Sequence, residues 1–335
     1  MSGEIFVTGI KATGSLHLGN YLGAIVPMLE MMQKERGTFF IFIADYHALT
    51  SLQSPQELKK YSLEMAASWL ASGLDLSKAI FYRQSDIPEI FELQWILTSC
   101  AKKRSMNGAH AYKAAVEKNQ SKGEEEDREI SMGLYCYPIL MAADILLFNA
   151  TKVPVGVDQK QHVEIARELV GSFHRTYLPV FSLPQAVVTR ERTLIGVDGR
   201  KMSKSYQNTI PLFCSEKQLR RTIARIPTDS SSPKQPKQRE SNVLFSLYSA
   251  FASSEEREEM ARHFAEGISW REVKEQLFIL LQRELGNKRE RYEEWMDRSD
   301  KIEQFLCEGA KNARTVASKQ LQKVRQAIGV EGREY

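Results

Sequence analysis

Residues 38–49, TFFIFIADYHAL, are a mostly apolar run without regular alternation of apolar and polar side chains. Such a run is typical of a strand that is buried on both faces, as the strands of parallel sheets are. Shorter β-type runs, EIFVTGI from residue 4 and AIFYRQS from residue 79, stand before and after it, with helical patterns between them. This alternation predicts right-handed βαβ units, and therefore an α/β fold with a Rossmann-type parallel sheet.

Capping residues mark two of the predicted helices. Ser54 with Glu57 forms a capping box that opens the helix after the second strand, and Ser269 with Glu272 forms another near the C-terminal end. In such a box each side chain satisfies a backbone amide of the first helical turn. After residue 238 the chain is almost entirely helical in pattern.

Polar segments and chain length suggest the domain organisation. Residues 114–130 are charged and unpatterned, and we expect a mobile surface loop there, with a second loop at 230–238, which contains two prolines. A chain of 335 residues exceeds the usual size of one domain. We therefore expect two domains: a Rossmann-type catalytic domain over residues 1–206 and an all-helical domain over residues 207–335.

Composition excludes several classes of protein. No apolar run approaches the roughly 20 residues that a membrane helix needs, so no membrane partner is expected. The first ten residues lack a basic segment followed by an apolar one, so we expect no secretory signal. The four cysteines are scattered without metal-type spacing, which fits a reducing cytoplasm and predicts no metal site. The net charge of +4 permits a nucleic-acid partner without arguing for one.

The first chemical motif is TGIKATGSLHLGN, from Thr8 to Asn20, which contains three glycines. It follows a predicted strand and opens a helix. Ligands bind at the carboxyl ends of strands in such sheets, and the free N–H groups of a helix start attract phosphate. By itself the motif could equally be a glycine-rich turn with one surface histidine.

The second motif is DGRKMSKSYQN, from Asp198 to Asn208. Lys201 and Lys204 stand three residues apart with serines around them and a glycine before them, which predicts a flexible cationic loop. Taken alone, such a charge run is usually a solvated surface. The motif indicates a function only when it is considered together with the first motif.

Together, HLGN and the KMSKS about 180 residues later resemble the two signatures of class I aminoacyl-tRNA synthetases. Further segments, namely GNYLGA, DYHAL, PILMAADILL, VPVGVDQKQHVEIAR and GAKNARTVASKQLQKVRQAIG, resemble the tryptophanyl-tRNA synthetase family. The resemblance covers nearly the whole chain and is weakest in the polar loops.

The stretch CYPILMAADILLF, residues 136–148, contains a single charge, Asp144. A buried carboxylate costs several kcal/mol unless a partner compensates it, and no Lys or Arg lies within seven residues. Tyr137, Met141 and Asp144 share one face of a helix. The tyrosyl relatives typically carry Gln where Met141 stands.

An indole N–H is only a donor, so it needs one acceptor in an otherwise apolar slot. Asp144 supplies the acceptor, and Met141 supplies adaptable packing against a ring. The alternative is a buried carboxylate held by backbone amides or by a distant arginine.

The resemblance implies roles for further residues. His47 and Val7 would line the amino-acid pocket, Gln159 would reach the ammonium group of the substrate, and Val153 and Val155 would wall the indole. The implied tryptophan site is Asp144, Met141, His47, Gln159, Val7, Val153 and Val155. The implied ATP site is Lys11, Ala12, Thr13, Gly19, Asn20, Gly156, Val157, Asp158, Thr193, Lys201, Met202, Ser203, Lys204 and Ser205.

The sequence also permits different roles for some of these residues. His47 could be structural, and Asp158 could serve as the N-cap of the helix that follows it. Lys113 would approach the triphosphate, whereas the neighbouring cations at 102–104 are as easily explained by a solvated surface. The sequence departs from the family at Lys11, where Gln is common, and at Val7, where an aromatic residue is common.

The reaction implied by the resemblance has two steps. The carboxylate of L-tryptophan attacks the α-phosphorus of ATP, which is bound with Mg²⁺, and a hydroxyl of tRNA(Trp) then attacks the adenylate. Lys201 and Lys204 would clamp the departing pyrophosphate, while His17 and Asn20 would hold phosphate and ribose oxygens. No permanent cofactor is implied. The implied assembly is a homodimer, with the helical domain at the anticodon end of the tRNA. The basic segment 309–330 could be part of that tRNA contact or a solvated helix face.

Three other functions compete with a tryptophan–tRNA ligase. A tyrosine–tRNA ligase is disfavoured by Met141. A small-molecule adenylyltransferase that shares the HxGN turn is disfavoured by the intact KMSKS and the helical tail. An idle paralogue that binds RNA has no need of His17, Lys201 and Lys204 together.

Overall fold

The computed structural model describes residues 3–188 and 194–330. Thr193, predicted in the ATP site, lies outside the described residues. The sheet has five strands: β1 Glu4–Lys11, β2 Gly37–Ala44, β3 Ala79–Arg83, β4 Lys152–Val155 and β5 Gln185–Val188. Their order is β3-β2-β1-β4-β5, and every neighbouring pair is parallel. The predicted α/β fold with a Rossmann-type sheet is confirmed.

Fourteen helices are present in the described residues: α1 Leu18–Asn20, α2 Val26–Lys34, α3 Asp45–Ala48, α4 Pro55–Ala71, α5 Glu89–Cys100, α6 Lys103–Asn107, α7 His110–Ser121, α8 Met132–Leu146, α9 Lys160–Thr176, α10 Glu216–Ala224, α11 Val243–Phe251, α12 Ser254–Glu266, α13 Trp270–Asp297 and α14 Ser299–Ile328. A π-helical turn, Tyr21–Ile25, joins α1 to α2, and short 3₁₀ turns occupy Gln84–Asp86, Val157–Gln159 and Lys204–Tyr206. Ser54 and Ser269 both cap helices, since Ser54 accepts from Glu57 N–H and Ser269 accepts from Glu272 N–H. The return contact that completes the predicted capping box is present at Ser269, whose N–H donates to Glu272 at 2.9 Å, and is not recorded at Ser54.

Both faces of β2 are buried, as its unbroken apolar sequence predicts. Phe39 and Ile41 point into the hydrophobic core that α2, α4 and α13 cover, whereas Phe40 and Phe42 point into the core that α5, α8 and α9 cover. Successive side chains of a strand lie on opposite faces, so the one run serves two cores. The sheet is therefore a central layer with helices on each side.

The C-terminal helices pack onto this layer. Helix α13 lies against α4, and α14 lies along β3. At Gly309 the backbone of α14 approaches β3 so closely that a Cβ would lie 1.8 Å from the carbonyl oxygen of Phe81. Ion pairs join α14 to the sheet layer, including Arg314 to Glu89 at 3.0 Å. The expected domain division at residue 206 stays a prediction.

The structure corrects the expectation of a loop over residues 114–130. Helix α7 occupies this segment as far as Ser121, and only the remainder is irregular. The turn after α7 is fixed by Asn119, whose Nδ2 donates to the carbonyls of Glu126 and Arg128. The segment 230–238 has no helix or strand, as predicted. Over residues 3–188 and 194–330, no helix is long and apolar enough to span a bilayer.

Candidate active site

A cavity of about 810 Å³ opens at the carboxyl ends of β1, β2 and β4. It lies where the strand order reverses, because β1 is followed in sequence by β2 on one side and neighbours β4 on the other. Ligands bind at this position in open α/β sheets because the connections diverge there and leave a crevice. The cavity is therefore the candidate active site.

Backbone pairing brings the two sequence motifs together at this cavity. Leu18 N–H donates to the carbonyl of Ile210 at 3.0 Å, and Leu212 N–H donates to the carbonyl of Leu16 at 2.9 Å. The turn that carries HLGN is thus tied to the segment directly after KMSKS. This pairing explains how residues far apart in the chain form one site.

His17 is buried beside the start of α1, and its Nδ1 has no hydrogen-bond partner. Its backbone N–H donates to Asn20 Oδ1 at 3.2 Å, so Asn20 caps the turn. Burial and the nearby cation of Lys204 lower the pKa of His17 to about 4. The imidazole is therefore neutral at physiological pH, and a buried nitrogen without a partner is available for a ligand.

Gly14 allows the second lysine of KMSKS to lie against the first motif. Its φ of +132° is unfavourable for other residues, and a Cβ there would lie 2.9 Å from Lys204 Nζ. Desolvation lowers the pKa of this ammonium group. Lys201 lines the cavity itself. Positive charge therefore lies on the cavity wall at Lys201, and beside Gly14 and His17 at Lys204.

Asn208 holds the KMSKS loop in shape. This side chain is 1% exposed. Its Oδ1 accepts from Ser203 N–H at 2.8 Å, and its Nδ2 donates to Asp198 Oδ1 at 2.6 Å and to the carbonyl of Lys201 at 3.1 Å. Gly196 leaves room for it, because a Cβ there would lie 2.3 Å from the Asn208 amide.

Asp144 lies at the floor of the cavity and is 1% exposed. Its Oδ2 lies 2.8 Å from His47 Nε2, and Gln84 Nε2 donates to both carboxylate oxygens at 2.8 and 2.9 Å. Burial raises the pKa of Asp144, while the bonds from His47 and Gln84 oppose that rise. The carboxylate is thus held by two side-chain donors, in place of the backbone amides or distant arginine that the sequence left possible. Its oxygens keep capacity for one more donor.

The space above Asp144 is an apolar slot. Aliphatic and thioether side chains wall it: Val7, Met141, Ile145, Val153 and Val155. One acceptor in an apolar slot matches a flat aromatic group that carries a single N–H donor.

A chain of polar side chains also borders the cavity, beginning at Tyr137, whose ring centre lies 6.2 Å from that of His47. Tyr137 Oη lies 2.7 Å from His162 Nε2, and His162 Nδ1 lies 2.7 Å from Gln159 Oε1. Tyr137 and Gln159 line the cavity, whereas His162 lies behind them and is 2% exposed. Burial lowers the pKa of His162 to about 4.

Lys11 contacts Thr50 and Tyr137. Its Nζ donates to Thr50 Oγ1 at 3.3 Å and lies 5.2 Å from the centre of the Tyr137 ring. Burial lowers the pKa of this ammonium group. Asp158 also lines the cavity, but it is not the N-cap of α9: that position is Gln159, and no side chain caps the helix. The predicted capping role of Asp158 is therefore wrong.

Most of the predicted site residues line this one cavity: Val7, Lys11, His17, Gly19, Asn20, His47, Met141, Asp144, Val153, Val155, Gly156, Asp158, Gln159, Lys201, Met202 and Ser203. The cavity wall does not include the others that are described: Ala12, Thr13, Lys113, Val157, Lys204 and Ser205. Of these, Lys204 lies against Gly14 and close to His17, which does line the cavity.

Sequence reasoning missed Gln84, His162 and Asn208. Gln84 follows the third strand, the usual position for functional residues in a parallel sheet, which is a usable but weak signal. His162 stands three residues after Gln159, a spacing that places both on one helix face. Asn208 had no signal beyond its place at the end of DGRKMSKSYQN.

These features define what the site can do. It offers a neutral histidine and two lysines for a polyphosphate, and a separate apolar slot with one carboxylate for an aromatic group. No cluster of metal ligands occurs among residues 3–188 and 194–330. Such a site can position a carboxylate against a nucleotide phosphate and stabilise the charge that leaves.

Comparison with known proteins gives one consistent result. The sequence model of the family described as tRNA synthetases class I (W and Y) matches residues 4–286. A tryptophan–tRNA ligase of Pseudomonas aeruginosa is 51% identical over 97% of this chain and 73% of its own length. A tryptophan–tRNA ligase of Neisseria meningitidis is 45% identical over 98% of this chain and 99% of its own.

Solved structures agree. Tryptophanyl-tRNA synthetase from Campylobacter jejuni, complexed with ADP and tryptophan, superposes with a TM-score of 0.88 at 39% identity, covering 97% of this chain and 99% of that one. A tyrosyl-tRNA synthetase from Archaeoglobus fulgidus shares the fold with a TM-score of 0.63 at 19% identity.

Proposed function

The chain belongs to the class I tRNA synthetases of the tryptophan and tyrosine family, and on that basis we propose how its cavity works. The reaction is that of a tryptophan–tRNA ligase, which activates L-tryptophan with ATP and transfers it to tRNA(Trp), releasing AMP and pyrophosphate. One observation carries the choice of amino acid: the Asp144 carboxylate at the floor of an apolar slot, held by His47 and Gln84. An indole N–H would complete its hydrogen bonding.

In the first step the substrate carboxylate attacks the α-phosphorus of ATP, the bond to the β-phosphate oxygen breaks, and pyrophosphate leaves. Lys201 and Lys204 hold the leaving phosphates. The free Nδ1 of His17 donates to a phosphate oxygen or forms a hydrogen bond with a ribose hydroxyl. These contacts orient the reacting groups and stabilise negative charge. The stabilisation grows as the charge moves onto the pyrophosphate. Mg²⁺ enters with ATP and shares that charge.

In the second step a ribose hydroxyl at the end of tRNA(Trp) attacks the carbonyl carbon of the adenylate, and AMP leaves. The C-terminal helices would meet the anticodon end. Exposed cations on α14, namely Lys311, Lys319 and Lys323, support contact with phosphate, whereas Arg314 is already engaged by Glu89.

We also propose that the chain acts as a homodimer in the cytoplasm. Large apolar side chains are exposed on α3 and directly after it, on α5 and on α8, namely Tyr46, Leu49, Trp95 and Met132. The Tyr46 ring packs on Phe91 of α5, and the start of α8 lies beside Thr50. A cluster of this kind is typical of a protein–protein contact. All four cysteines are free thiols, which fits a reducing compartment.

The test of the amino-acid choice is exchange of labelled pyrophosphate into ATP, measured with each of the twenty amino acids. We expect tryptophan alone to drive exchange at low concentration, because the slot offers one acceptor and no donor suited to a phenol. Exchange driven by tyrosine would support the tyrosine ligase instead. Exchange with no amino acid would support a catalytically idle RNA-binding protein.

A further inference from the structure

A chain of contacting polar side chains runs along the cavity wall, from Asp158 to Gln159, then to His162 and finally to Tyr137. Each of them is a donor, an acceptor or both, so the positions of the hydrogens along the chain are linked. Only Tyr137, Gln159 and Asp158 of these four reach the cavity. His162 contacts both Tyr137 and Gln159 at 2.7 Å while being 2% exposed.

Asp158 fixes the direction of this chain. A carboxylate only accepts hydrogen bonds, and Asp158 Oδ2 lies 3.4 Å from Gln159 Nε2. The amide of Gln159 therefore turns its NH₂ toward Asp158 and its oxygen toward His162. The reverse orientation would place the amide oxygen beside a carboxylate oxygen.

The Gln159 oxygen in turn selects the tautomer of His162. Because Oε1 can only accept, His162 Nδ1 must carry the proton and donate it. The ring is neutral, because burial lowers the pKa of His162 to about 4. Asp158 opposes this shift. The other charged or titratable groups nearby also lower the pKa: His110, His47 and Lys11. Nε2 is then bare and accepts the hydroxyl hydrogen of Tyr137.

As a result, the Tyr137 and Gln159 oxygens both act as acceptors toward the cavity. Tyr137 Oη has donated its hydrogen backwards, and Gln159 Oε1 has one of its two acceptor positions still free. We propose that His162 is a positioning residue that fixes both oxygens as acceptors and thereby makes this wall a receptor for the primary ammonium group of the amino-acid substrate. This inference rests on the proposed function and on the contact between Gln159 and the substrate ammonium group that the resemblance implies; what it adds is the role of His162.

The tautomer can be measured in the wild-type protein. The protein is produced with ¹⁵N-labelled histidine, and the ring nitrogens of His162 are assigned by comparison with the His162→Gln variant. We expect a protonated Nδ1 and a bare Nε2 throughout neutral pH. A proton on Nε2, or on both nitrogens, would overturn the proposal.

Binding of two ligands separates positioning from general support. His162→Phe keeps a flat ring but removes both hydrogen bonds, and affinity is measured for L-tryptophan and for 3-(indol-3-yl)propionate, which lacks the amino group. We expect roughly a tenfold or greater loss for tryptophan, the usual scale for a charged hydrogen bond, and an unchanged affinity for the propionate. Equal losses for both ligands, or no loss for tryptophan, would contradict the proposal.

Two variants control this experiment. His174→Phe makes the same change on the same helix, where the ring stacks on Phe181 outside the cavity, and should leave both affinities unchanged. His162→Gln retains a donor and an acceptor and should recover part of the tryptophan affinity. If His162→Phe does not fold, the His162→Gln comparison and the tautomer measurement decide. The binding and tautomer measurements do not depend on catalysis. Failure of the proposed function would therefore show separately, as a lack of tryptophan-driven pyrophosphate exchange.

Discussion

At the scale of single residues, Gln84 supports the charge of Asp144 together with His47. Gln84 is fully buried and donates to both oxygens of the carboxylate, while its own oxygen accepts from His47 N–H at 3.3 Å. These bonds stabilise the ionised form and therefore lower the pKa of Asp144, against a burial effect that raises it. Gln84 thus favours the ionised form of Asp144, which is the form that can accept from an indole donor.

We expect Gln84→Leu to raise the pKa of Asp144 further. The acid limb of the pH profile of kcat/KM for tryptophan should then move to higher pH, because the carboxylate takes up its proton earlier as pH falls. At neutral pH we expect a loss of about tenfold or more in kcat/KM, the usual scale for removing a hydrogen bond from a buried charged group. The measurement is pyrophosphate exchange across the pH range.

Gln94→Leu provides the matched control, because Gln94 lies on α5 and does not line the cavity. Its pH profile should coincide with that of the wild type. An unshifted acid limb in Gln84→Leu would mean that Gln84 does not act on the charge of Asp144.

At the scale of elements, the KMSKS loop is shaped by one asparagine. Asn208→Ala would leave Ser203 N–H and the Lys201 carbonyl without their partner. Because Lys201 and Lys204 would lose their fixed positions, we expect kcat for pyrophosphate exchange to fall on the order of 10²-fold, the scale of a misplaced catalytic group. Tryptophan affinity, measured by equilibrium dialysis, should not change.

Asn242→Ala controls for the loss of an asparagine contact elsewhere. Asn242 caps α11 by accepting from Phe245 N–H at 3.0 Å, so its removal should lower the melting temperature without a selective loss of kcat. A similar kcat for Asn208→Ala and the wild type would show that the loop is ordered by other contacts.

Elements also show where the sequence was informative. The first three strands, β1 to β3, were predictable because their apolar runs are bounded by helical patterns. Helix α7 was missed because Asn119 is its only buried residue, so its sequence carries no apolar stripe, and its helix-forming residues suited a loop equally well. Asp144 could be found as an isolated charge, but its partners could not, because Gln84 is 60 positions away and meets it only through the sheet.

At the scale of the whole molecule, the C-terminal helices and the sheet form a continuous structure. Helix α14 closes the β3 edge of the sheet, with Gly309 allowing the close approach and Arg314 pairing with Glu89. An edge strand that is covered in this way cannot pair with another chain. Association of two copies therefore cannot use the β3 edge of the sheet.

The exposed apolar cluster of Tyr46, Leu49, Trp95 and Met132 is the surface that we expect two copies to share. Trp95 is 72% exposed, although burial of a tryptophan is among the largest contributions that a side chain makes to an interface. Trp95→Glu should place an uncompensated charge there and convert a dimer into a monomer, as measured by light scattering of the eluting protein. Ile279→Glu changes an apolar residue of α13 that is 51% exposed outside this cluster and should leave the mass unchanged. A monomeric wild type, or a dimeric Trp95→Glu variant, would contradict this assignment of the interface.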